Sequence, residues 1–343
     1  MGDIRAQFAG RQRRCHMKQL HTQQGMAIIS MLLVVAVIVV LAAALLGRQT
    51  TAIRAVQTEQ TRAQARWLLR GEISRAQLVL RAEAQRDPTT RLDGAWNRPV
   101  NGQVLGEIAG APARAFTEII DEQSKFNLRN LISFRQIDPV ESAAFLRLCD
   151  LVGVPPDQAG RIARRVVLSL VEAGRPSVAT TTPAEIKAAQ GAVQQLGLSS
   201  LATREQAPRL RVIEDLLAVP GIDADSVARL RPYVTVLPQR TWINANTAKA
   251  EVLSAWVPGL AVDRARVMLQ VRDSGQWFIN RGDFVSRLQM PELNESDILI
   301  GITSQWFRVS SALQMPRTTL PMQALVHDDK EVMPQVMWLR EGA

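Results

Sequence analysis

Residues 25–48 read Gly25-Met26-Ala27-Ile28-Ile29-Ser30-Met31-Leu32-Leu33-Val34-Val35-Ala36-Val37-Ile38-Val39-Val40-Leu41-Ala42-Ala43-Ala44-Leu45-Leu46-Gly47-Arg48. From Ala27 to Leu46 the only polar side chain is Ser30. About twenty apolar residues at a rise of about 1.5 Å match the roughly 30 Å hydrocarbon core of a bilayer. One helix satisfies all its own backbone groups, as lipid requires. The stretch therefore predicts a membrane-spanning helix. Two plainer readings stay open: a secretory signal cleaved after Ala42-Ala43-Ala44, and an uncleaved single-span anchor. Against the first, a signal core is usually about 7–15 residues long, and the polar sequence after Gly47 keeps a helical spacing.

Gln23-Gln24-Gly25 followed by Met26-Ala27-Ile28-Ile29-Ser30 resembles the leader of type IV pilins and pseudopilins. The resemblance implies a cut by prepilin peptidase between Gly25 and Met26 on the cytoplasmic side. The apolar run would stay with the mature chain, and the new Met26 amine would be N-methylated. Most members of this class carry Glu at the fifth mature position, and here that position is Ser30. A lone carboxylate in lipid is costly unless paired. In the class, that Glu is thought to pair with the amine of the subunit ahead, and a subunit at the tip has none ahead of it. The departure is shared by the minor pseudopilin K family of type II secretion.

The chain has 343 residues, 47% of them hydrophobic, and a formal net charge of +9. That length allows at least one real core. Arg5, Arg11, Arg13, Arg14 and Lys18 against Asp3 place nearly half of the charge surplus in the leader. The charge left behind is mild and argues more for solubility than for nucleic acid. Cys15 lies in the leader and Cys149 would remain alone, so no internal disulfide is expected in the mature chain. Three His and two Cys make a zinc site improbable. Met17 offers a second start, which would make residues 1–16 an extension and leave a leader of ordinary pseudopilin length. Lys18 alone then carries the positive-inside signal, and Arg48 and Arg54 do not favour it. Placing the C-terminal bulk in the periplasm therefore rests on the leader resemblance.

After Gly47, the residues Ile53, Val56, Ala63, Trp67, Gly71, Ser74 and Leu78 recur every three or four positions. They predict one face of an amphipathic helix that continues the rod and packs on a small sheet. Asp87-Pro88 is its expected stop. Val104 to Glu107 and Arg114 to Ile120 read as short strands joined at Gly110-Ala111-Pro112. Next, Asp121-Glu122 with Phe126-Asn127-Leu128-Arg129-Asn130-Leu131 resembles a pseudopilin K signature.

From about Asp138 to Asp297 the chain reads as mostly helical. Val140 to Leu151, Asp157 to Glu172 and Pro183 to Leu196 are the first helices expected. Leu217-Ala218-Val219-Pro220-Gly221-Ile222 and Ala255-Trp256-Val257-Pro258-Gly259-Leu260 each read as helix, Pro-Gly hairpin, helix, and resemble the helix-hairpin-helix motif. Gly221 and Gly259 sit where the backbone must turn sharply. Such hairpins commonly bind DNA phosphates, but also serve as compact packing units. Asp223 and Asp225 after the first, and Asp263 beside Arg264 after the second, disfavour a phosphate clamp. The tail returns to alternating patches, Trp306 to Leu313, Thr318 to Val326 and Met333 to Leu339, expected to complete the early sheet.

The chain has no phosphate loop, nucleophile elbow or metal-spaced His pair. It is read as non-enzymatic and needing no cofactor. Relatives in the resembled family can bind calcium, which makes Asp121, Glu214, Asp215 and Asp223 candidate ligands. Surface carboxylates are the plainer reading of these acidic clusters. Trp67, Trp242, Trp256, Trp277 and Trp306 are expected as core or interface anchors.

The fold expected is α+β: a pilin-like long N-terminal helix on a small antiparallel sheet, with a large all-α domain of helix-hairpin-helix or SAM-like type inserted. Its parts are a leader (1–25), a transmembrane helix (26–47) and the amphipathic half of that helix (48–87). The first sheet part (88–125), the insertion (126–303) and the last strands (304–343) follow. The resemblance implies a minor pseudopilin at the tip of a periplasmic pseudopilus, anchored by a single pass in the bacterial inner membrane. Partners implied are I- and J-type minor pseudopilins, the major pseudopilin, prepilin peptidase, and exoprotein cargo or the secretin; no nucleic acid is expected. The rival readings are a membrane-anchored DNA-binding protein using the two hairpins, and a generic anchored interaction domain.

Overall fold

A computed structural model of the chain describes residues 20–133, 136–170, 191, 194–197, 207–291, 293, 299–316 and 318–342. Two compact units are present, Met1–Gln64 and Ala65–Ala343. Helix α1 is unbroken from Leu20 to Arg86. In the first unit, no described side chain from Met26 to Gln60 is buried. By length and composition, the apolar run qualifies as a candidate membrane span. It fits a single-pass membrane anchor.

In the second unit, β1 (Val100–Ile108) and β2 (Ala111–Asp121) form a hairpin after α1. Short strands follow: β3 (Phe126–Asn127), β4 (Ile132–Ser133), β5 (Gln136–Ile137), β6 (Val234–Thr235), β7 (Ile243–Asn244) and β8 (Ile300–Gly301). The chain ends in a meander of β9 (Trp306–Met315), β10 (Thr318–His327) and β11 (Gln335–Glu341). The five long strands make one antiparallel sheet in the order β1-β2-β9-β10-β11. Strands β2 and β9 are bonded neighbours although Asp121 and Trp306 stand far apart in sequence. Everything between them is a detour from the sheet. Strands β1 and β2 run longer than their apolar patches predict, and hairpin pairing carries them up to the turn at Ala109-Gly110.

Helix α1 packs on this sheet through Ala65, Leu69, Ile73, Ala76 and Leu80, all buried. They meet Ala113, Ala115 and Ile119 of β2, Phe307, Val309 and Leu313 of β9, and Met322, Ala324 and Val326 of β10. This corrects the expected stripe. Trp67 and Leu78 are 71% and 60% exposed, and Ala63, Gly71 and Ser74 also face solvent. The sheet takes the opposite face, where Glu72 is the polar member between Leu69 and Ala76. Alanines on both layers let backbone and sheet come close; an indole could not fit there. Glu72 is also buried, and its Oε2 accepts the Thr117 hydroxyl (2.9 Å). Thr117 in turn shares a 2.8 Å bond with Ser311. A polar thread thus joins α1, β2 and β9 inside the apolar layer.

The region between β2 and β9 has its own core around Phe126, Leu128, Leu131, Phe145, Leu148, Ile162, Leu253 and Trp256. Helix α2 (Pro139–Leu151) starts at an Asp138 cap that accepts from Val140 N and Glu141 N. Helices α3 (Pro156–Leu170), α4 (Ala224–Leu230), α5 (Ala250–Trp256), α6 (Val262–Asp273) and α7 (Arg281–Leu288) complete the described set. The expected helix from Pro183 to Leu196 lies almost entirely outside the described residues, as does the end of the one reaching Glu172. Among the described residues the expected succession of helices is interrupted. Residues 231–249 form turns, short strands and loops, because buried asparagines supply the hydrogen bonds a helix would otherwise provide. Asn127 donates to Gln239 O (2.8 Å) and accepts from Arg129 N and Leu237 N. Asn130 donates to Thr241 O (2.9 Å) and accepts from Thr241 N.

Candidate functional site

Gly25, Met26 and Ser30 lie in one helical run of α1. The Ser30 hydroxyl donates to the Met26 carbonyl one turn back. A hydroxyl can bond its own helix in this way and needs no outside partner. A carboxylate at that place would need one. The first turns of the rod therefore carry no polar group that asks for a neighbour.

The second place where function-bearing chemistry gathers is the exit from β2, where the chain leaves the sheet and later returns. Asp121 is buried there. Its Oδ1 accepts from Gln123 N (2.8 Å), and its Oδ2 accepts the hydroxyls of Thr247 (2.5 Å) and Ser304 (2.6 Å). Burial pushes its carboxyl above the ordinary range, and the hydroxyl and amide donors offset part of that. Asn244 bridges the same centre, donating to Thr90 O (3.1 Å) and Ser304 Oγ (2.7 Å). Gln123 links Trp242 O to Gln305 N. Four separate chain segments thus meet at Asp121 and Asn244. Beside them, Glu122 pairs with Lys125 (2.8 Å) and with Arg308 of β9 (3.1 Å). Burial alone would raise the Glu122 carboxyl, but the two cations outweigh it and hold it below its ordinary value.

The hairpin glycines sit where a left-handed backbone is needed, Gly221 at φ 83° and Gly259 at φ 79°. A Cβ on Gly221 would stand 2.6 Å from an Arg161 nitrogen. The second hairpin joins two α-helices, α5 and α6. The first is entered from a 3-10 turn, Ile213–Ala218, and leads into α4. Gln158 of α3 occupies the first hairpin, donating to Gly221 O and accepting from Asp223 N (3.1 Å). That amide is then not free for a phosphate, which counts against the DNA reading. Sequence reasoning missed Gln158, Asn244, Thr247 and Ser304. The pair Asn244 and Asn246 in an otherwise apolar run was the signal available, since isolated amides among apolar residues often hold loops.

The four proposed calcium ligands are not brought together. Asp121 uses both oxygens on protein donors. Asp215 Oδ2 accepts from Arg211 N and Val212 N, and Glu214 pairs with Arg231 (3.1 Å). Asp223 caps α4 through Ser226. Among the described residues no cluster of three or more metal-ligating side chains exists, so these residues do not fit a calcium ion. Asp121 and Glu122 are also buried rather than surface carboxylates. Cys149 is a buried free thiol whose pKa burial pushes up to about 12. Of the tryptophans, Trp256 and Trp306 are core, and Trp67 and Trp242 are exposed.

Two family models, both described as type II secretion system (T2SS), protein K, match residues 124–239 and 243–303. Together they cover just over half of the chain. The type II secretion system protein K of Pseudomonas aeruginosa is 28% identical over 303 residues, covering 85% of each chain. Those of Dickeya chrysanthemi and Klebsiella pneumoniae are 26% and 28% identical, covering 90% and 81% of this chain and 95% and 82% of theirs. Among solved structures, the GspK-GspI-GspJ complex from enterotoxigenic Escherichia coli matches with a TM-score of 0.57 at 18% identity, over 84% of this chain and 99% of that one. That likeness is one of fold: a long N-terminal helix with a small antiparallel sheet. These relatives are secretion components, and the DNA-binding alternative gains nothing from them. With Asn127 and Asn130 inside the first matched segment and Asn244 and Thr247 inside the second, this chain belongs to the type II secretion system protein K family.

Proposed function

We propose that the chain is a non-enzymatic minor pseudopilin that caps the tip of the periplasmic pseudopilus and helps initiate its assembly. Prepilin peptidase cuts after Gly25, Met26 becomes N-methylated, and the rod keeps the mature chain in the inner membrane with its bulk in the periplasm. The observation that carries this reading is Ser30. At the fifth mature position its hydroxyl is bonded within its own helix, so the subunit needs no neighbour ahead of it. The region between β2 and β9, built in part on helix-hairpin-helix or SAM-like units at Gly221 and Gly259, forms a head too wide to repeat along a shaft. The solved neighbour is a complex of GspK with GspI and GspJ, which supports I- and J-type minor pseudopilins as partners. The major pseudopilin lies below the tip, and cargo or the secretin above it.

Mass spectrometry of the mature N-terminus tests this. Methyl-Met26 is expected in the wild type, with the leader retained in Gly25→Leu. A mature start beyond Ala44 would overturn it. Ser30→Glu places a carboxylate without a partner and should lower recovery of the chain in tip complexes.

A further inference from the structure

Strand β2 outruns its neighbour β1. Its last pair with β1 is Thr117 opposite Val100, whereas its register with β9 continues through Asp121. Pro99 accounts for the stop. Proline has no N–H to give to a ladder, and the 3-10 turn Ala95–Asn97 has already carried the chain aside. Alternate residues of a strand turn their backbone groups to opposite neighbours. The two-residue turn at Ala109-Gly110, with φ of 52° and 75°, makes Ile108 and Ala111 a bonded pair. Counting on from Ala111 in twos, Ala113, Ala115 and Thr117 face β1. Ile119 and Asp121 then face the place where β1 is missing.

Asp121 O accepts the Ser124 hydroxyl there (2.6 Å). Ile119 N–H, Ile119 O and Asp121 N–H meet no partner among the described residues. Ile119 is only 8% exposed, and a sheltered backbone group without a bond is costly. A cleft of about 470 Å³ opens at this edge, walled by Leu92, Trp96, Pro99, Ser124 and Thr247. Glu118 also lines it, exposed and without an ion pair among the described residues.

We infer that this cleft is a strand-addition site: it takes an extended peptide segment of a partner protein, with a basic residue beside Glu118, that continues the line of β1 along β2. The inference goes beyond the pseudopilin reading and does not rest on it. The backbone groups choose the occupant. Donor, acceptor and donor in sequence along one strand edge are what an added strand completes. A helix has spent those groups on itself. The slot is short, because Val100 closes one end and Ser124 with Thr247 the other, leaving the stretch Glu118 to Asp121 to be matched. The residue opposite Ile119 points as Ile119 does, towards the apolar layer that holds Leu92 and Trp96, and calls for an apolar group. The residue opposite Glu118 lies on the outer face, where a cation complements the carboxylate.

The test uses the full chain in detergent with its isoleucines labelled with nitrogen-15. The probe is the peptide acetyl-Val-Thr-Val-Lys-amide. On titration the Ile119 amide resonance should shift and its exchange with solvent should slow. Ile108, already bonded to Ala111, should keep both. The same peptide N-methylated at its second valine, which cannot donate to Ile119 O, should leave Ile119 unmoved. In Glu118→Lys the apparent Kd of the lysine peptide should rise about threefold, the size of one exposed ion pair. Acetyl-Val-Thr-Val-Glu-amide should then become the better ligand, with the thermal midpoint of the chain unchanged. If Ile119 ignores the lysine peptide, or responds equally to the N-methylated one, the strand-addition site is overturned. If Glu118→Lys leaves the order of the two peptides as it was, the basic preference is overturned. Processing of the N-terminus, read separately, leaves the pseudopilin reading standing in either case.

Discussion

The sheet half of the second unit and the region between β2 and β9 reach similar burial by different means. In the sheet half, five strands run in long registers and one helix face covers them. Backbone pairs with backbone, and between helix and sheet the side chains mostly fill space around the thread of Glu72, Thr117 and Ser311. In the other half, described helices are short and the links between them are held by side chains. Asn127, Asn130, Asn244 and Asn246 bond backbone groups that no ladder or helix reaches. Regular elements satisfy their own polar groups; an irregular core must spend polar side chains for the same end. The first kind of core is sensitive to volume, the second to hydrogen-bond chemistry.

The comparison is sharpest at Phe307 of β9, which is wholly buried and meets Trp96 edge-on at 5.6 Å. Phe307→Ala should cost about 3–5 kcal/mol, read as a lower urea midpoint at unchanged slope. In the other half the matching experiment is Asn244→Leu, nearly equal in size but without donors. It should cost about 2–3 kcal/mol, because Thr90 O, Ser304 and Asn246 N all lose a partner. A cost near zero there, beside a full cost at Phe307, would show that the junction is not held by these bonds.

A smaller effect separates two buried glutamates. Glu122, beside the sheet, is paired with Lys125 and Arg308 and held below its ordinary value of 4.5. Its contribution is present above pH 4.5 and is lost as pH falls below that value towards the depressed folded one. Glu141, on α2, meets Arg240 and Asn130 through Oε1, has no hydrogen-bond partner for Oε2 among the described residues, and is raised well above 4.5, by burial first and by Asp138 second. Its folded form binds the proton more tightly, so stability falls as pH rises from 4.5 through the raised folded value. Urea midpoints against pH should therefore steepen below 4.5 in the wild type and flatten there in Glu122→Gln. Glu141→Gln should raise the midpoint at neutral pH by about 1 kcal/mol of stability. A loss of stability in that variant at pH 7 would mean that the Glu141 charge is compensated.

Much of the sheet half is legible in the residues alone. The rod shows as an uninterrupted apolar run, the helix stop as Asp87-Pro88, and the last strands as alternation bounded by turns. The face of α1 is misread because two stripes share the helical period, and a period alone does not say which stripe has a layer to meet. The helical half is read as more regular than it is, because apolar spacing suggests helices where asparagines hold loops. Buried Asp121 and Glu122 look like surface carboxylates for the same reason: their partners include Thr247, Ser304 and Arg308, all distant in sequence.

The sequence by itself determines a membrane-length rod with one hydroxyl, a pilin-like order of helix and strands, and two glycine hairpins. These follow from local rules of length, period and backbone freedom, which act within a few residues. Only the tertiary structure decides which side of α1 is buried, where the carboxylates go, and that β2 takes β9 as its neighbour. Those outcomes depend on groups brought together from distant parts of the chain, and no local pattern encodes the distance between them.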